Sequence, residues 1–137
     1  MPEPIFKFKG GSMISPTGKG IRSDSEGSGE YGSRRGDRVH NGVDYICVQF
    51  QAIVAPFDMK IDREAKPYGD KEQNGQKMSG IKWATKKSNG RLFYFEPDYL
   101  KIGKYVHQGE VIGIAQAVSE YHALPKMTDH VHFQINK

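Results

Sequence analysis

The sequence predicts an all-β domain, a compact antiparallel sheet or barrel-like sandwich with little helix. Short apolar runs rich in Val, Ile, Phe and Tyr recur between residues 43 and 135, several alternating apolar with polar as half-buried strands do. Gly, Asn and Pro punctuate these runs at short intervals, and the chain holds sixteen Gly to build such turns. Only Ala117–Leu124 has the composition of a helical turn, and Pro125 is placed to end it.

Taken in order, residues 1–38 are dominated by Gly, Ser, Pro and charges and read as an extended arm. The arm proper is 1–12; residues 13–137 form one domain, a size that supports a single core. Met13-Ile14-Ser15-Pro16 is expected to start a strand that ties the arm down. The stretch Arg22–Arg38 is too rich in Gly and alternating charge for a helix. It is either a loose surface loop or the wall of a groove leading to His40. Tyr45–Phe50 is a β-type run, Ile53-Val54-Ala55 stops at Pro56, and Met59–Arg63 alternates. Residues 64–75 are polar and end at the turn signal Asn74-Gly75. Met78–Thr85 and Arg91–Phe95 flank Asn89-Gly90, which has the form of a two-residue hairpin turn. Val111–Ala115 and Val131–Ile135 close the set.

Composition narrows the function classes. The net charge is +4, but Lys and Arg are scattered and no aromatic platform is interleaved with them, so no nucleic-acid partner is expected. No run is apolar and long enough for a membrane span. Met1-Pro2-Glu3-Pro4-Ile5-Phe6-Lys7 is too short and Pro-broken for a signal peptide. If it acts outside the cell, such a chain is expected to travel on a phage particle, in a secretion-system assembly or by another leaderless route. With one cysteine, Cys47, no intramolecular disulfide forms; its apolar surroundings predict a small buried hydrophobe rather than a nucleophile or ligand.

Chemistry concentrates in two segments. Three of the five His lie in Arg38-Val39-His40-Asn41-Gly42-Val43-Asp44-Tyr45 and Asp129-His130-Val131-His132-Phe133. Zinc takes imidazole nitrogen and carboxylate oxygen at about 2.0–2.2 Å, usually as a tetrahedron with one catalytic position left to water. His40 and Asp44 are spaced to share one side of a strand or helical turn, with Gly42 letting the backbone bend between them. His130 and His132 share a strand face. Spacing leaves two readings open: a metal centre drawn from both ends of the domain, or a solvated polar strand face. If metal is bound, Asp129 and Gln134 are candidate partners for the ligating imidazoles.

His40-Asn41-Gly42-Val43-Asp44 with His130-Val131-His132-Phe133 resembles the paired signature of the lysostaphin-type zinc metallopeptidases, a family of cell-wall endopeptidases. Ala55-Pro56-Phe57-Asp58 is similar to the family's Ala-Pro turn, and residues 102–113 to its late Gly-rich run. Ser23–Gly32 and Phe93-Tyr94-Phe95-Glu96-Pro97 resemble the leukocyte cell-derived chemotaxin branch most. The resemblance covers residues 13–137. It implies zinc held by His40, Asp44 and His132, with His130 taking a proton from the attacking water or holding the oxyanion. The substrate class it implies is the cross-link peptide of peptidoglycan.

One position departs from the peptidase pattern. Leu92-Phe93-Tyr94-Phe95 puts Tyr94 where the peptidases carry a second catalytic His, as the chemotaxin branch does. A phenol can donate to an oxyanion, but with a reference pKa near 10 it is no near-neutral acid or base. Tyr94 either orients the scissile carbonyl or is a core residue of its apolar run. His122 is the one candidate to stand in for the missing His, and His107 reads as a surface residue beside Gly109. The resemblance thus leaves a zinc endopeptidase, a catalytically silent zinc-containing recognition module of the same fold, or a structural part of a phage tail.

Overall fold

Alternation of apolar and polar residues is what gives each strand one face for a core. The computed structural model describes residues 7–8, 11–30, 32, 34–35, 38–39 and 42–136. Three two-residue hairpins come first: β1 (Lys7–Phe8) with β2 (Gly11–Ser12), β3 (Ser23–Asp24) with β4 (Gly27–Ser28), and β5 (Arg34–Arg35) with β6 (Arg38–Val39). There follow β7 (Val43–Ile46), β8 (Ala52–Val54), β9 (Met59–Glu64), β10 (Gly80–Ala84), β11 (Asn89–Phe93) and β12 (Phe95–Pro97). A 3-10 turn at Tyr99–Lys101, β13 (Tyr105–Val106), β14 (Val111–Ala115), the single α-helix α1 (Val118–His122) and β15 (His130–Ile135) complete the described order.

A six-stranded sheet runs β13-β9-β10-β11-β15-β7 and a three-stranded sheet runs β12-β14-β8, antiparallel at every pairing. The all-β sandwich expected from the sequence is what forms. Between the sheets Trp83 stacks on Phe133 at 5.5 Å, and Phe57 meets both edge-on. Val43, Tyr45, Ile61, Ile81, Leu92 and Val131 come from one sheet, and Ile53, Phe95, Ile112 and Ala115 from the other. Cys47 is buried here, which pushes its thiol up to about 12 and makes it inert packing.

Several expected boundaries shift. Asn89-Gly90 is not a hairpin turn: both lie in β11, and residues 85–88 turn instead, with Thr85 N donating to Ser88 O at 2.8 Å. Gly90 stands opposite Trp83, where a Cβ would strike the indole and the Gln134 carbonyl; glycine makes room for the largest core residue. Residues 13–16 form no strand, and two backbone bonds tie them to the domain, Ile14 N to Pro56 O and Val54 N to Pro16 O, both at 2.9 Å. The run from Tyr45 breaks after Ile46, and Phe50 closes the following turn with φ 70°. Asn74-Gly75 does turn, both residues at positive φ between Gln73 and Gln76. The helical turn ends at Ala123 in the left-handed region, two residues before Pro125.

The run Arg91–Phe95 is interrupted at Tyr94, whose φ of 78° carries the chain from the six-stranded sheet to the three-stranded one. Its amide donates to Ser79 O at 2.7 Å and its carbonyl accepts from Gln116 N at 3.0 Å, so the residues just before β10 and just after β14 hold it. A bulky residue at that φ is uncommon and costs strain, tolerated where surroundings over-determine it.

Candidate metal centre

The centre is built on the outer face of β15 and β7. Antiparallel register sets His132 directly opposite Asp44 and His130 opposite Ile46. Val131 and Phe133 alternate into the core, so His130 and His132 both face away from it. Even so the three polar side chains are buried, Asp44 at 2%, His130 at 4% and His132 at 8% exposure.

His132 Nδ1 lies 3.0 Å from Asp44 Oδ1, and its Nε2 lies 3.0 Å from Gln134 Oε1. The Gln134 amide is oriented by its own nitrogen donating to Asn136 Oδ1 at 3.0 Å. Nε2–H therefore donates to Gln134, and the Nδ1 lone pair of a neutral ring meets a carboxylate oxygen. Two acceptors at that distance require a second ring proton or a cation between them. Donors about 2.0–2.1 Å from one tetrahedral ion stand about 3.3 Å apart, close to the separation seen. Of the two candidate partners named from sequence, Gln134 takes the role. Asp129 instead accepts from Ser119 N at 2.9 Å and caps α1.

His130 is oriented by its backbone. Its Nδ1–H donates to Thr128 O at 2.7 Å, which leaves Nε2 with the lone pair, 3.6 Å from Asp44 Oδ2. Burial lowers its pKa below the ordinary histidine value, although Asp44 and Thr128 oppose that, so the ring is neutral near pH 7.

Behind Asp44 stands a residue the sequence reading passed over. Arg22 is 3% exposed; Nη1 donates to Asp44 Oδ2 at 3.2 Å, and Nε and Nη2 donate to Asp24 at 2.9 and 3.3 Å. Burial works against its charge, but Asp24 and Asp44 outweigh it and raise its pKa. Burial likewise opposes ionisation of Asp24, yet Arg22 and the amides of Thr128 and Glu26 hold that carboxyl well below the usual range. Asp24 Oδ2 accepts from Thr128 N at 2.8 Å, and Thr128 O accepts from His130. A chain of hydrogen bonds thus runs from Asp44 through Arg22, Asp24 and Thr128 to His130. Of the two readings of Arg22–Arg38, the loose loop fails for residues 22–30. Gly29 fits against Asp44 where any Cβ would collide. The one sequence signal was Arg22-Ser23-Asp24, an i, i+2 charge pair in a Gly-rich stretch.

Gly42 lies at a bend, as expected, and serves a second purpose. A Cβ there would meet the His132 ring and the Phe133 carbonyl, so glycine leaves space for the imidazole. Tyr94 is brought to the site: its ring stands edge-on to His130 at 5.4 Å and 89°. Its hydroxyl bonds Tyr68 OH at 2.8 Å, and Tyr68 OH bonds His122 Nε2 at 3.2 Å. His122 therefore leans toward the centre through two phenols. Burial, and then Tyr68, pushes the Tyr94 phenol well above its ordinary pKa. Phe93 stacks on His132 at 6.1 Å. His107 is exposed and apart from all of this.

His40 and Asn41 lie outside the described residues. Among the described residues no group of three His, Cys, Asp or Glu side chains completes a metal cluster. The described donors nonetheless fit a cation: a buried carboxylate, an imidazole lone pair aimed at it, and an outer acceptor fixing the tautomer. No helix among the described residues is long and apolar enough to cross a membrane.

The chain matches no protein-family model. It is similar to leukocyte cell-derived chemotaxin-2 of Bos taurus, 30% identical over 113 residues, which span 81% of this chain and 69% of the relative. It is 32% identical to leukocyte cell-derived chemotaxin-2 of Mus musculus over 113 residues, with the same shares of both chains.

Proposed function

From the premise that this chain belongs to the leukocyte cell-derived chemotaxin-2 family, we propose a lysostaphin-type zinc domain that hydrolyses peptide amides of bacterial peptidoglycan cross-links. His40, Asp44 and His132 would hold the ion. The observation that carries the reading is the pairing of His132 Nδ1 with Asp44 Oδ1 beside a neutral His130 whose Nε2 is free of its proton. When bound, zinc supplies Lewis acidity toward water and the scissile carbonyl.

The chain's own residues account for the rest. Arg22 holds Asp44 Oδ2, while Oδ1 faces His132 Nδ1, the side on which the ion would sit. Gln134 holds the His132 ring in the tautomer that presents Nδ1. His130 Nε2 accepts the proton of the attacking water and returns it to the leaving amine. Tyr94, next to His130, donates a hydrogen bond to the developing oxyanion; where Tyr94 is the donor to Tyr68, it must first release that partner.

That last requirement favours a second reading. With its hydroxyl engaged by Tyr68 and its pKa raised, Tyr94 is a weak acid where the peptidases use His. The same domain would then be a zinc-containing recognition module that binds a glycopeptide without cutting it, as a soluble protein or as part of a phage tail or injection apparatus.

The test is digestion of purified cell wall by zinc-loaded protein, with metal analysis and a His130→Ala variant alongside. One zinc per chain with turnover lost in the variant supports hydrolysis. One zinc per chain and no turnover in either protein supports recognition. Failure to take up zinc at all sinks both.

A further inference from the structure

The outer face of the six-stranded sheet carries two parallel rows. Register places Asp44, His132, Phe93 and Gly80 side by side on β7, β15, β11 and β10. Two residues along the same strands, Gln134, Arg91 and Lys82 form the next row, and Arg63 on β9 extends it. Residues two apart share a face, so both rows look outward. The second row begins at Gln134, the residue that holds His132.

Three cations therefore stand directly opposite one another on adjacent strands. Cross-strand neighbours are about 4.5–5.5 Å apart, and like charges so placed destabilise a sheet. Lys82 and Arg91 are half-buried, and among the described residues neither has an ion pair or side-chain hydrogen bond. Arg63 Nη1 donates to Glu64 O at 3.1 Å, its one side-chain bond among the described residues. Glu64 is engaged elsewhere, by Ser79 and Tyr99. Asp62, at the β9 irregularity, is the one carboxylate of β9–β11 on this face, where Lys60 adds a fourth cation. The sheet tolerates a repulsion that an anionic ligand would relieve.

We infer that this face binds an extended peptide by its carboxylates, with Arg91, Lys82 and Arg63 receiving acidic groups displaced from the bond at His132. The offset of two residues corresponds to about 7 Å. The inference rests on the site as a peptide-binding centre and deepens it: the substrate is an acidic peptide, its carboxylates near the scissile amide.

The probe is a fluorescein-labelled hexapeptide of alternating Gly and Glu, compared with its Gly and Gln counterpart by anisotropy at low ionic strength in chelator. The Glu peptide is expected to bind about tenfold tighter, as several exposed ion pairs together supply, and the preference fades as salt screens it. In a Lys82→Gln/Arg91→Gln variant the preference falls to about twofold or less. That variant loses a like-charge opposition, so its thermal midpoint should hold or rise, which separates lost binding from lost folding. Equal affinities for the two peptides, or an undiminished preference in the variant, overturns the inference. So does a uronic-acid oligosaccharide of equal charge binding tighter than the peptide. Binding in chelator does not depend on cleavage. Inactivity toward cell wall with the preference intact counts against the hydrolase reading alone.

Discussion

Arg22 reaches Asp44 from inside the protein, Nη1 to Oδ2 at 3.2 Å, with both side chains about 3% exposed. His132 meets the other oxygen of the same carboxylate, Nδ1 to Oδ1 at 3.0 Å, so Arg22 and His132 grip Asp44 from opposite sides. Removing one partner of a buried pair leaves the other uncompensated, which costs about 3–5 kcal/mol. Arg22→Met should lower metal-free stability by that order in urea denaturation. Arg22→Lys, which keeps the charge but loses the fork that also grips Asp24, should recover only part of it.

Acid should weaken the metal-free protein in two stages. The His130 and His122 pKa values are lowered on folding, chiefly by burial, so the unfolded chain binds more protons. Their stabilisation is complete above about pH 6.5 and is lost as pH falls below it. Asp24 is held below the ordinary carboxylate range, and its contribution is complete above about pH 4 and lost below. Urea midpoints followed against pH should show both declines. Asp24→Asn should flatten the lower one, and His122→Gln with His130→Gln the upper one.

Gln134 acts on the ion through His132. Replacing such an outer partner typically lowers metal affinity 10–100-fold, and Gln134→Leu should do so in competition with a chromogenic chelator while leaving the melt nearly unchanged. Gly42→Ala should weaken metal binding as well, by driving the His132 ring off its position. Unaltered zinc affinity in both variants would remove His132 from the ligand set.

Tyr94→His should raise any hydrolytic rate on cell wall, since imidazole titrates near neutrality and phenol does not. The backbone φ of 78° is tolerated by His better than by most side chains. A slower Tyr94→His enzyme would mean that the phenol takes direct part. No turnover in either protein returns the argument to recognition.

The all-β fold, the core alternation of Val131 and Phe133, the burial of Cys47 and the shared face of His130 and His132 were legible in the chain, because period-two patterning and local spacing are one-dimensional properties. Gln134 could be named as a partner for the same reason: it stands two residues from His132 on one strand. Asp129, equally near in sequence, went to α1, because the choice between two neighbouring acceptors depends on which element folds beside them. The roles of Gly42 and Gly90 could not be read, since each answers to a ring from another strand. Arg22 and Asp24 read as loop charges until their segment folded against Asp44 of β7 and the backbone of Thr128. Their meaning, like that of the row Arg91, Lys82 and Arg63, comes from contacts across the chain. Register between strands distant in sequence is set by packing, and packing alone decides which charges share a face.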